Sequence, residues 1–247
     1  FDEHVSRTKN KREGPGVNFK ETSAYGTIKD FLFKIDNSIK NRPQVEPAIK
    51  DPYIDILEEI VEKTPLSKEP ARFANPAMRD VISHVCLETS NPYLRESFGN
   101  SIRMDYGTGH ELNYLCYLYT QHTQGQLELE GVSSLLRRYF RLIRRYIKKF
   151  NIEAAGARGC WSVDEYQFLP YLLGSAENFR ETRTIMEIRE GMFYEAWFNH
   201  GDIGMVANIC KLSWPEINIG LFKMYDEEVL GKHVVTQHFI YSDFLPI

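Results

Sequence analysis

The stretch "IRMDYGTGHE", residues 102–111, brings Arg103, Asp105, Thr108, His110 and Glu111 together with two glycines. Thr108 followed three residues later by Glu111 has the spacing of a capping box. It predicts a helix starting at Thr108, with the amides of Gly109, His110 and Glu111 pointing out of the first turn. Such amides, at the positive end of the helix dipole, attract anions. Gly107 and Gly109 remove side chains that would hold a phosphate away, and Arg103 can add a bidentate positive charge. The same residues also describe a plain scaffold, in which glycines shape a tight turn and Arg103 pairs with Glu111 or Asp105. The residues alone leave both readings open. The stretch lacks the third glycine of G-x-G-x-x-G, no G-K-[ST] occurs in the chain, and "HELNY" has Tyr114 where a zincin needs histidine.

Two further stretches carry candidate groups. In "GARGCWSVDEYQFLPYLLGS", Asp164 and Glu165 stand beside Trp161, Tyr166 and Phe168. Adjacent carboxylates can hold a hard cation such as Mg2+, with water and phosphate oxygens completing its shell. Equally, Ser162 and Glu165 have capping-box spacing, so Glu165 can cap a helix begun at Ser162 and Asp164 can serve its dipole. In "VVTQHF", Gln237 and His238 could meet an adenine or a phosphate, whereas a lone histidine beside Phe239 more commonly sits satisfied in a core. No Ser-His-Asp or Cys-His arrangement can be argued from spacing, so nucleophilic catalysis has no positive support.

These groups must be positioned by helices. "VSSLLRRYFRLIRRYIKKF" keeps Val132, Leu135, Leu136, Tyr139, Ile143, Tyr146, Ile147 and Phe150 on one face, with seven Arg and Lys on the other. The basic face reads as a solvated surface paired with acidic neighbours. "DPYIDILEEIVEK" offers Asp51 as cap and Pro52 as first helical residue, with Tyr53, Ile56, Leu57 and Ile60 inward. A third capping box, Ser213 with Glu216, predicts a helix running to Gly231, and only "HVVTQHFIY" suggests a strand. The fold class is all-α, expected as a single globular unit over residues 23–247 behind a mobile polar arm, residues 1–22.

The chain's 247 residues carry 30 Lys and Arg against 34 Asp and Glu, a formal charge of -4, so no overall basic field favours nucleic acid. Its four cysteines lie far apart with no C-x-x-C pair, which fits free thiols in a reducing compartment. No apolar run reaches the roughly 20 residues of a bilayer span. The expectation is a soluble protein of the cytoplasm, with the nucleus as a second location, and neither nucleic-acid nor membrane partners.

"ARFANPAMRD", "YLRESFGNSIRMDYGTGHE", "GARGCWSVDEYQFLPYLLGS", "GLFKMYDEEVLGK" and "VVTQHFIYSDFLP", in that order, resemble the phosphotyrosyl phosphatase activator family, activators of type 2A protein phosphatases. The resemblance runs from about Tyr25 to the C-terminus. It implies an all-α fold with core, linker and lid parts, and a cleft engaging the phosphatase catalytic subunit, with or without its scaffold subunit, or a proline-containing peptide. It also implies peptidyl-prolyl cis/trans isomerase activity and dependence on ATP and Mg2+. Nucleotide contacts would fall on Arg103, Thr108, Gly109, Val234, Gln237 and His238, and magnesium on Gly159 and Glu165. Cleft positions would be Asp105, Trp161, Asp164, Tyr166 and Met224. The chain departs from the family pattern at Val234, where proline is usual, and at Glu165, where a second aspartate is usual. A helical scaffold that binds the phosphatase without turnover is the alternative.

Overall fold

The computed structural model describes residues 11–12, 17–41, 51–69, 71–156 and 163–247. In chain order the elements are β1 (Lys11–Arg12), a 3-10 turn (Phe19–Glu21), α1 (Ser23–Lys40), α2 (Pro52–Lys63), α3 (Met78–Glu88) and α4 (Pro92–Arg95). After a second 3-10 turn (Glu96–Phe98) come β2 (Asp105–Tyr106), α5 (Thr108–Thr123), α6 (Leu129–Phe150), β3 (Glu153–Ala154) and α7 (Leu169–Glu177). Then follow α8 (Gly191–His200), α9 (Ile203–Ile209), α10 (Trp214–Tyr225), a π-helical turn (Asp226–Leu230), α11 (His233–Thr236) and β4 (Ile240–Tyr241). The fold is all-α, since every strand is two residues long. Within it the chain divides into two compact units: the first draws on Pro47–Gly156, the second on Lys11–Glu46 with Ala157–Ile247.

The first unit is organised by α6. All eight residues of its expected apolar face are buried, each contributing roughly 1.5–3 kcal/mol when fully removed from water. Much of its basic face is paired locally, as expected, although Arg144 is buried instead of solvated. Arg138 reaches Asp55 (2.6 Å) and Glu58 (3.0 Å), and Arg145 reaches Glu58 (3.2 Å). Lys149 Nζ donates to the carbonyls of Val61 (2.8 Å) and Glu62 (2.7 Å). Those carbonyls lie in the last turn of α2, where the helix dipole favours a cation.

Helix α2 starts as expected, with Asp51 Oδ1 accepting from the Ile54 amide (3.0 Å). Its buried face differs from the expected one: Ile54, Leu57 and Val61 point inward, while Tyr53, Ile56 and Ile60 are half-buried. Apolar residues at 53, 54, 56, 57, 60 and 61 allow two overlapping stripes, and the ion pairs to α6 select between them by facing Asp55 and Glu58 toward Arg138.

The second unit is organised by α7, whose residues Leu169 to Ala176 are all buried. A helix apolar all round belongs in a core, and α1, α8 and α10 pack on it. The Ser213–Glu216 capping box forms at α10, and the helical path continues through the π turn to Gly231. The expected strand over His233–Tyr241 is mostly helix and turn; only Ile240–Tyr241 pairs, antiparallel to Lys11–Arg12. Order also begins upstream of Ser23. Phe19 is buried against Phe239, ring centroids 4.7 Å apart.

A polar cluster is sealed inside this unit. The Asp36 side chain is 0% exposed, with Lys40 Nζ 2.5 Å from Oδ2 and Asn218 Nδ2 donating to Oδ1 (2.8 Å). Burial outweighs these partners and pushes the Asp36 carboxyl above the usual range. The folded protein therefore holds this proton more tightly than the unfolded chain does. The associated stability is full below the ordinary value near 3.9 and is lost as pH rises through the raised value. Asp36→Asn keeps the acceptor for Asn218 and removes the titration. Its urea midpoint, relative to the native chain, is expected to rise as pH climbs above about 4; parallel profiles would show that the Asp36 carboxyl is not raised in the folded protein.

Candidate functional site

The corner before α5 is built from the turn at residues 99–105. Gly99 has φ +96°, and a Cβ there would stand 2.5 Å from the Asp105 carbonyl oxygen, so only glycine fits. The Asn100 side chain accepts from the amides of Ile102 (3.0 Å) and Arg103 (2.9 Å), and the Asn100 amide donates to the Asp105 carbonyl (3.0 Å). Strand β2 then lies parallel to β3, and the Ala155 amide donates to Tyr106 O (2.7 Å). This pairing fixes where α5 begins.

Helix α5 begins at Thr108, but Gly107 occupies the cap position and no side chain caps it. The expected capping box does not form. A Cβ at Gly107 would meet the Ala155 Cβ at 2.9 Å, so the glycine serves packing against the β3 strand and shifts the helix entry by one residue. Glu111 is buried instead of reaching back to the cap. The amides of His110 and Glu111 donate to Gly107 O (2.9 and 3.3 Å). Among the described residues, the Thr108 and Gly109 amides have no acceptor, so the outward-pointing donors lie one residue earlier than expected. Asn113 Nδ2 donates to Gly109 O (3.0 Å) and steadies that turn.

Arg103 realises part of each reading of the corner. Its Nε donates to Asp105 Oδ2 (2.7 Å), yet its side chain is 52% exposed, while that of Asp105 is 12% exposed. The carboxylate thus anchors one edge of a guanidinium whose other nitrogens are available. His110, which spacing arguments pass over, lies beside this pair. Its Nδ1 is 2.8 Å from the Glu96 carbonyl and its ring 5.7 Å from that of Tyr106. Burial lowers its pKa, which keeps the imidazole neutral.

The remaining candidates lie in the second unit. Asp164 is buried, accepting from the amides of Tyr166 (2.7 Å) and Gln167 (3.2 Å) and from Tyr171 Oη (2.9 Å). Burial raises its pKa despite these donors. Asp164 therefore holds a turn that precedes α7, and the helix starts at Leu169 instead of Ser162. Glu165 is exposed, and the half-buried Tyr166 has its ring 5.0 Å from His200. Met224 is half-buried on α10. Gly159, Trp161 and Ser162 lie outside the described residues.

Val234 on α11 is 62% exposed. Gln237 Nε2 donates to Val234 O (3.1 Å), and both Gln237 and His238 are exposed. The core reading of His238 thus fails: Phe239 takes the inward place. Among the described residues no three His, Cys, Asp or Glu side chains gather as a metal cage. The single exposed carboxylate of Glu165 fits only a magnesium ion whose other ligands are phosphate and water oxygens. Cys86, Cys116 and Cys210 are free thiols, and no helix among the described residues is long and apolar enough to cross a membrane.

A family model described as "Phosphotyrosyl phosphate activator (PTPA) protein" matches residues 83–247. The serine/threonine-protein phosphatase 2A activator of Encephalitozoon cuniculi is 41% identical over 233 residues, covering 93% of this chain and 94% of the relative. The Drosophila melanogaster protein of that name is 33% identical over 242 residues, covering 77% of this chain and 59% of its own length. The crystal structure of the PP2A phosphatase activator Ypa1 PTPA1 matches with a TM-score of 0.77 at 23% identity, over 97% of this chain and 94% of that one. That likeness supports the helical fold. By the extent of the family match and the identity to its relatives, the chain belongs to the phosphotyrosyl phosphatase activator family.

Proposed function

We propose that the chain activates a type 2A protein phosphatase, engaging its catalytic subunit together with ATP and Mg2+ to favour the active, metal-loaded form. The observation that carries this reading is the pair of unclaimed first-turn amides at Thr108 and Gly109 beside the half-exposed Arg103 guanidinium. Two amides and an anchored arginine suit phosphate oxygens. The family resemblance adds, in the second unit, Val234, Gln237 and His238 as further nucleotide-contact candidates and Glu165, with Gly159, as magnesium candidates. The relatives' name, phosphatase 2A activator, supports this choice of partner, and the corner supports nucleotide dependence.

Peptidyl-prolyl isomerisation is the associated activity in this reading. It needs no nucleophile: a dry cleft that twists the amide and a donor aimed at the prolyl nitrogen can lower the barrier of roughly 18–20 kcal/mol. By resemblance its candidate residues are Asp105 in the first unit and, in the second, Trp161, Asp164, Tyr166 and Met224. Isomerisation of a proline peptide should proceed without ATP and survive Arg103→Ala.

The test is recovery of activity by metal-depleted type 2A catalytic subunit incubated with Mg·ATP and either the native chain or Arg103→Ala/Glu165→Ala. Losing one charge-assisted contact of about 1.5–3 kcal/mol should weaken nucleotide binding tenfold or more, and recovery should fall with it. Equal recovery with both proteins, or recovery without nucleotide, would make the corner a scaffold and the chain a binding protein without nucleotide chemistry.

A further inference from the structure

The turn at residues 99–105 carries Ile102, whose side chain is 85% exposed. A lone exposed apolar side chain is ordinary on a protein surface; the turn that holds this one is not. Met104 has φ +55°, a left-handed conformation uncommon for a residue with a side chain. Its amide donates to Asn100 O (2.8 Å), while the Asn100 side chain ties down the amides of Ile102 and Arg103. At the base, a Cβ on Gly99 would stand 2.5 Å from the Asp105 carbonyl oxygen and 2.8 Å from Met78 Cε, so the turn is seated closely on the start of α3. Backbone strain of this kind collects where a fold must hold a group ready for binding. What this turn holds is an isoleucine in water.

A guanidinium stands on each side of it. Arg79, the second residue of α3, donates from Nε to Ser101 O (3.0 Å), and Arg103 donates from Nε to Asp105 Oδ2 (2.7 Å). Both arginines are exposed, and among the described residues Arg79 has no carboxylate partner.

We infer that Ile102 is an anchor for the type 2A phosphatase catalytic subunit, received by an apolar pocket whose rim carries a carboxylate for Arg79. The assignment rests on the reading above that the chain engages that subunit, and it names the face that does so. Burying the isoleucine in a dry pocket supplies affinity. The turn is already fixed, so little ordering is lost on contact. Pairing of Arg79 with a carboxylate sets the register and speeds the encounter. Ile102 and Arg103 are consecutive, so seating the one brings the partner up to the residue proposed to hold phosphate. Nucleotide and phosphatase would then meet on one face of the first unit.

The experiment measures binding of the whole chain to the isolated catalytic subunit by biolayer interferometry. Ile102→Asp should weaken binding about tenfold or more, and the uncharged Ile102→Ala about threefold or more. Ile102→Leu, which restores the apolar volume, should bind as the native chain does. Arg79→Glu should weaken binding and flatten its dependence on salt. The Ile102 side chain lies outside the core, so the Ile102 variants should keep the native urea midpoint. Native-like binding by both Ile102→Asp and Ile102→Ala would overturn the anchor and leave the phosphatase reading intact. An unchanged salt dependence in Arg79→Glu would overturn the carboxylate rim. If Ile102→Asp abolished self-association of the chain in sedimentation while phosphatase binding stayed native, the anchor would serve a second copy and the inference would fall. Absence of binding by the native chain would remove the phosphatase reading itself, and the anchor with it.

Discussion

Gly174→Ala is expected to collapse the second unit. Gly174 lies in the middle of the buried α7, where the backbone of α8 crosses it: an added Cβ would stand 2.2 Å from Phe193 N and 2.7 Å from its Cα. Neither atom belongs to a flexible side chain, so α8 itself must move by about an ångström or more to restore ordinary contact. Phe193 also stacks edge-on against Tyr171 and Trp214, and both contacts move with it. The cost is roughly 3 kcal/mol or more, a large share of a total stability of about 5–15 kcal/mol. Urea unfolding should show a much lower midpoint or no cooperative transition. Gly26→Ala on α1, where an added Cβ meets nothing within 4 Å, is the control and should stabilise slightly through helix propensity. A native midpoint for Gly174→Ala would refute the close approach of α7 and α8.

Tyr139→Ala should be the most damaging change in the first unit. The Tyr139 ring is stacked on Tyr114 with centroids 3.7 Å apart, and its hydroxyl donates to Ser97 O (2.7 Å) while meeting the Tyr106 hydroxyl at 2.8 Å. Truncation opens a cavity costing about 3–5 kcal/mol, takes the hydroxyl donor from Ser97 O at about 1–3 kcal/mol, and removes the contact with the Tyr106 hydroxyl. Tyr139→Phe isolates the second contribution and is expected to cost roughly 2 kcal/mol. Because Ser97 and Tyr106 flank the 99–105 turn, the phenylalanine variant should also speed amide exchange at Asn100 and Met104, both of which donate within that turn. Unchanged exchange there would separate the tyrosine network from the positioning of the corner.

Elements whose signals are local are legible in the sequence, and those set by tertiary packing are not. Asp51 with Pro52, the long stripe of α6 and the Ser213–Glu216 box each contain their own start or face, and each appears as expected. Thr108 with Glu111 has the same spacing as Ser213 with Glu216, yet its box is absent because β2–β3 pairing and Ala155 determine how the chain enters α5. The turn at Asp164 shows the same override: a buried carboxylate collects two amides and a tyrosine hydroxyl, and the helix waits until Leu169. "HVVTQHFIY" has strand-forming residues but only two of them find a partner strand. At the candidate site the corner itself is legible from Arg103, Thr108 and Gly109, whereas the seating of His110 against the Glu96 carbonyl is not. It depends on which atom a ring nitrogen faces, and no spacing rule contains that.

The second unit takes α1 from one end of the chain and α7, α8 and α10 from the other. During synthesis the first unit can close while α1 still lacks every helix it packs against. Roughly 130 residues separate the end of α1 from the start of α7, so at ribosomal speeds of about 5–20 residues per second α1 waits on the order of ten seconds. Throughout that interval Ile28, Phe31, Leu32 and Ile35 form an uncovered apolar stripe. A nascent chain stalled before α7 should therefore recruit holdase chaperones to its α1 segment, and release them as α7 and α10 emerge.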